Sequence, residues 1–126
     1  MIGSTRSIRV FAYAAVTDLR KSWEGLGAIV RNELGHDLLQ GDLFLFVNRR
    51  RNRTKVLFFD GTGLCIFMKR LERGRFAALW KRTQGKTLTL SMSELAVFVE
   101  GSKIIEKISL IPEEIDGSAL AISRDL

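Results

Sequence analysis

Three short apolar runs occupy the middle of this chain and limit what it can fold into. "LFLFV" (43–47), "TKVLFF" (54–59) and "LCIFMKRL" (64–71) are rich in Phe, Leu, Ile and Val, and turn residues bound them. Runs of this length and composition read as β-strands. The second and third are joined by "DGTG" (60–63), a hairpin signal because glycine accepts positive φ. The first and second are joined by "NRRRNR" (48–53), which puts Arg49, Arg50, Arg51 and Arg53 on a hairpin tip. Strands with no polar face are expected to be covered on both sides. The expected centre is therefore a β-meander over about 43–71, built into a small antiparallel sheet or a partly closed barrel.

One cover is the helix expected over 17–34; the other is a closed small barrel, a second helix or a partner chain. In "TDLRKSWEGLGAIVRNEL" (17–34), Leu19, Trp23, Leu26, Val30 and Leu34 form one stripe of an α-helix. Thr17 reads as its N-cap, Asp18 favours the positive end of its dipole, and Gly35 suits the C-cap. Gly25 and Gly27 each cost about 1 kcal/mol relative to Ala, marking a close approach to another backbone or a weak helix. "SIRVFAYA" (7–14) and "TLTL" (87–90) read as strands, and a short helix is expected over Phe76–Arg82. Ser91 and Glu94 have capping-box spacing, predicting a helix over about 92–100 that stops at Gly101. Residues 103–111 read as a strand or helix. The fold class is α+β, with one domain over 1–111 and a C-terminal tail over 112–126. A chain of 126 residues suits one domain and can bury roughly 65–70% of its unfolded surface.

The charge is segregated. Net charge is +6, but residues 49–86 hold twelve Lys or Arg against two acids. That block is +10, and the remainder is −4. Polyanions select such a footprint. Arginine outnumbers lysine eight to four in the block, and its planar fork suits phosphate better than a point charge does. Phe67, Phe76 and Trp80 interleave with the charges, although Phe67 fits a core equally well. The candidate nucleic-acid contacts are the four tip arginines with Lys55, Lys69, Arg70, Arg73, Arg75, Lys81 and Arg82.

Other chemistries find little support. The lone Cys65 excludes an internal disulfide framework and sits in an apolar run as a buried thiol. The lone His36 follows Gly35 and reads as a surface or capping residue. No Cys/His spacing suits zinc, and no phosphate loop is present. Asp42, Asp60 and Glu72 would have to converge on a metal in a nuclease. Asp60 is better explained by its turn, Asp42 by a loop and Glu72 by its arginine neighbours. The expectation is a protein with no catalytic set, metal, cofactor or small-molecule substrate. No apolar run approaches a membrane span, and "MIGSTRSIRVF" lacks a signal-peptide core, so the chain reads as soluble and cytoplasmic.

Specific stretches add to this. "VTDLRKSWEGL" (16–26), "DLFLFVNRRRNRTKVLFFDGTGLCIFMKRLERGRF" (42–76) and "SELAVFVEG" (93–101) fall in the order seen in one family. They resemble the small accessory protein of IS66-type insertion-sequence elements, often labelled TnpB and distinct from the RNA-guided nuclease of that label. The motif positions include Asp18, Arg20, Lys21, Asp60, Gly61, Gly63, Glu72, Gly74 and Phe76, beside the arginines already named. Leu19, Ser22 and Trp23 depart from the residues the family more often shows. The resemblance implies a bacterial protein encoded beside a DDE-type transposase that assists transposition without a catalytic set of its own. Two readings follow: a non-catalytic factor that binds DNA through phosphates, or an adaptor that binds the transposase without touching DNA. A homodimer is compatible with either.

Overall fold

The computed structural model describes residues 7–101. The expected 103–111 element and the 112–126 tail lie outside them. The order is β1 (Val10–Val16), α1 (Trp23–Asn32), β2 (Leu43–Val47), β3 (Arg53–Phe59), β4 (Leu64–Arg70), β5 (Thr87–Leu90) and α2 (Met92–Phe98). Single 3-10 turns stand at Leu38–Gln40 and Leu79–Lys81. The α+β class is as expected. The strands form one open five-stranded sheet in the order β4-β3-β2-β1-β5, with no barrel closure.

β2, β3 and β4 make the expected meander, paired antiparallel with Phe44 opposite Leu57 and Val56 opposite Phe67. β1 pairs with β2 in parallel, which makes the sheet mixed rather than antiparallel. A parallel pair needs a crossover, and α1 supplies it. β5 closes the other edge antiparallel to β1, with Val10 opposite Leu90.

Strand alternation divides the core into two layers. Phe11, Phe44, Phe46 and Leu57 face α1, which sets Leu26 and Val30 against them. Val10, Ala12, Leu45, Val47 and Val56 face the opposite way. There they meet Phe76, Ala77 and Leu79 from the chain after β4, together with Leu95 and Phe98 of α2. Phe76 and Phe98 stack with centroids 5.2 Å apart. The expected two-sided cover is therefore a helix on one face and a loop plus a short helix on the other.

Two helices differ from expectation. α1 starts at Trp23 because Asp18 spends its carboxylate on a turn of its own, accepting from the Arg20 backbone N–H at 3.0 Å. Thr17 caps nothing; it is buried, and its hydroxyl donates to the Ala15 carbonyl. Leu19 still reaches the core, but from that turn. A Cβ on Gly25 would lie 2.9 Å from the Lys21 Cβ, so the close approach is to a side chain. Over Phe76–Arg82 only one 3-10 turn forms, because Phe76 to Leu79 are all buried and no helix face is left for solvent. α2 has the predicted capping box, with Ser91 and Glu94 bonded reciprocally at 3.0 and 2.8 Å.

Leu57 is fully buried between α1 and the sheet, whereas Met68 on the edge strand is 64% exposed. Urea unfolding of Leu57→Ala should show a loss of about 2–5 kcal/mol, and of Met68→Ala a change within about 0.5 kcal/mol. Equal losses would contradict the layer assignment.

Asp60 supports the β3–β4 turn. Its carboxylate accepts from the backbone N–H groups of Thr62 and Gly63, both at 2.9 Å, and these bonds hold its pKa down to about 2. The folded pKa lies below the unfolded one, so this support is complete above about pH 4. It is lost as pH falls from there through about 2. Melting temperature measured against pH should drop in that window for the natural chain. In Asp60→Asn the same window should be flatter; an unchanged slope would remove Asp60 as its cause.

Candidate nucleic-acid interface

The β2–β3 tip is shaped by Asn48. Its side-chain oxygen accepts from the backbone N–H groups of Asn52 and Arg53, both at 3.1 Å. Its amide donates to the Asn52 side chain at 2.8 Å, and its carbonyl accepts from Arg51 N–H at 3.0 Å. Arg51 closes the turn at φ 59°, a left-handed conformation that is strained for a side chain of this size. Arg49, Arg50 and Arg53 are exposed around this frame, and Arg51 is half-buried.

The tip is not free-standing. Phe76 N–H donates to the Arg51 carbonyl at 2.7 Å, and Leu71 N–H donates to the Asn52 carbonyl at 2.8 Å. The loop 71–76 is thereby fastened to the tip while Phe76 anchors it in the core. Gly74 turns that loop at φ +78°, and a Cβ there would come within 3.3 Å of the Gly101 carbonyl. Arg73 and Arg75 are exposed on it.

On the other flank, Thr17 N–H donates to the Val47 carbonyl at 3.0 Å and holds the β1–α1 loop against the tip. Arg20 stands out from this loop with its side chain 91% exposed. Asp18 orients it by accepting from Nε at 3.0 and 3.2 Å and from Nη2 at 2.7 Å. The side-chain bond from Arg20 holds the Asp18 carboxyl well below the usual carboxylate range. Two open depressions flank the tip. One, of about 470 Å³, lies between Arg20 and the tip residues Asn48, Arg49, Arg50 and Arg53. The other, of about 490 Å³, lies between Arg49, Arg50, Arg51 and the Gly74–Arg75 loop.

The basic block therefore divides. The tip arginines meet at this end of the sheet with Arg75, on the loop that also carries Arg73. Lys55 donates to the Lys21 carbonyl at 2.8 Å, and Lys69 donates to the Val99 carbonyl at 2.6 Å, which secures the end of α2. Arg70 pairs with Glu72 at 3.2 Å. Lys81 ends, and Arg82 caps, the 3-10 turn that packs against β1, and they line neither depression. The sequence assigns Arg20 and Lys21 to the motif but not to the basic cluster. The Asp18–Arg20 spacing is the signal that places Arg20 there, since a carboxylate two residues away can fix a guanidinium on a turn.

The remaining motif positions are structural. Asp60, Gly61 and Gly63 make the β3–β4 turn, with Gly61 at φ 108°. Phe76 is core. Asp42 is buried and paired with Arg9 at 2.9 Å. His36 stacks on Phe11 with centroids 4.1 Å apart. Cys65 is only half-buried, and desolvation raises its thiol pKa. Among the described residues no three His, Cys, Asp or Glu converge as a metal site, and no helix is long and apolar enough to cross a membrane.

The family model described as "IS66 Orf2 like protein" matches residues 8–108. Two proteins of Sinorhizobium fredii, both titled uncharacterized, are similar over 101 residues each. The protein y4hO is 35% identical, over 80% of this chain and 86% of its own length. The protein y4jC is 32% identical, over 80% of this chain and 85% of its own. No solved structure matches the chain. The match spans both depressions, the tip and the whole described sheet, and the chain belongs to the IS66 Orf2-like family, the accessory proteins of IS66 insertion-sequence elements.

Proposed function

We propose that this chain is a non-catalytic accessory factor that binds DNA during transposition, acting in the bacterial cytoplasm. The tip arginines and the adjoining 73–75 loop neutralise backbone phosphates. The observation that carries this reading is the fastening of the tip. Phe76 and Leu71 hold its backbone at 2.7 and 2.8 Å, so Arg49, Arg50, Arg51 and Arg75 stay together despite their mutual repulsion. Like charges gathered at a surface repel one another, and a phosphate met among them relieves that repulsion. Phosphate contacts fix position more than sequence.

A second reading has its own observation. β4 is an edge strand with Phe67 46% and Met68 64% exposed. An apolar edge of this kind suits an added strand from a partner, and the transposase is the partner this family suggests.

Fluorescence anisotropy with a labelled duplex across a salt series separates the two. If about six side chains meet phosphates, log K should fall against log[salt] with a slope near −5. Replacing Arg49, Arg50, Arg51 and Arg53 together by alanine should flatten that slope by about 3 to 4 with the fold retained. Binding unaltered in that variant would make the tip incidental and favour the adaptor. Asn48→Ala keeps every cation but frees the tip, so it should weaken binding while leaving the slope nearly intact. Binding as tight as that of the natural chain would mean instead that charge placement does not depend on Asn48.

A further inference from the structure

The tip stands between two depressions, and Arg49 and Arg50 border both. Arg20 lies across the first and Arg75 across the second. The cations thus form three rows: Arg20, then the tip, then Arg75. Among the described residues no aromatic ring lines either depression. The exposed rings, Trp23 at the start of α1 and Phe67 on β4, line neither of them.

That combination discriminates between nucleic acids. Proteins that hold single strands without sequence preference stack the bases on aromatic side chains, each worth about 1–3 kcal/mol. This face has no such platform. A duplex keeps its bases stacked within itself and presents two lines of phosphate on either side of a groove. Size selects the groove. Two paired strands run about 4.8 Å apart before side chains are added. An undeformed duplex admits such a ribbon in its major groove, about 12 Å wide, whereas the minor groove, about 6 Å wide, takes one only when the DNA is bent or widened.

Resting on the DNA-binding reading above, we infer that the face takes duplex DNA by its major groove. Arg49 and Arg50 enter the groove. Arg20, aimed by Asp18, meets the phosphates of one strand, and Arg75 meets those of the other. Arg20 thereby joins the binding residues, and Asp18 is its positioning residue.

The test uses the full chain with a short labelled duplex and, separately, each of its single strands, over a salt series. The duplex should bind roughly tenfold or more tightly than either strand. Arg20→Ala and Arg75→Ala should each flatten the salt slope for the duplex by about 1. Arg20→Lys should restore the slope, and Lys81→Ala should leave it unchanged. Methyl green, which occupies the major groove, should displace the protein, whereas netropsin, which occupies the minor groove, should not. Equal affinity for single strands, displacement by netropsin alone, or an unchanged slope in Arg20→Ala would each overturn the inference. The DNA-binding reading survives all three of these, because it falls only if the fourfold tip variant binds as the natural chain does or if no DNA binds.

Discussion

In β2, Leu45 and Val47 point to one side of the sheet, Phe44 and Phe46 to the other, and all four are fully buried. Neither side of this strand can meet water without exposing large apolar area, at roughly 25 cal/mol for each Å². Burying both sides requires chain from both directions. The preceding segment folds back as α1, which forces β1 to lie parallel to β2. The following segment crosses the opposite face as Phe76–Leu79 and then α2. Both routes begin at the same end of the sheet, beside the β2–β3 tip. The gathering of Arg20, the tip and Arg75 is thus a by-product of covering a strand that has no polar face.

Holding cations together has a cost, and the tip meets it with neutral hydrogen bonds. Asn48 satisfies two backbone donors and one side chain, and the carbonyls of Arg51 and Asn52 are taken by the 71–76 loop. The segment 48–53 itself contains no acid. Asp18 and Glu72 lie at its margins, each engaging its own arginine. Exposed pairs of this kind contribute little stability, so their effect is mainly orientation. A tip already ordered loses less conformational freedom when it meets a ligand.

Much of this was legible. β2 falls where its apolar run predicts, and β3 and β4 differ from theirs by a single residue at one end, because short Phe- and Ile-rich runs between turn signals have few other fates. The capping box of Ser91 and Glu94 fixed the start of α2 for a local reason. What stayed hidden depends on partners distant in sequence. Alternation marks a strand over 7–14, which the structure places at Val10–Val16, but does not name its neighbour. Leu19 fits a helical stripe and reaches the same core from a turn. Phe76–Leu79 buries every residue, which leaves no periodicity to read. Counting charges could not show that Lys55 and Lys69 spend their ammonium groups on the carbonyls of Lys21 and Val99.

The bonds from Phe76 to Arg51 and from Leu71 to Asn52 have a further consequence for how such a tip can vary. They join two loops through main-chain atoms, so they are indifferent to which side chains the tip carries. They are not indifferent to its length. One inserted or deleted residue between Asn48 and Arg53 would shift both carbonyls out of reach and leave two loop amides without partners near the core. This chain can therefore exchange the chemistry of its tip one side chain at a time, while the outline that presents it stays the same.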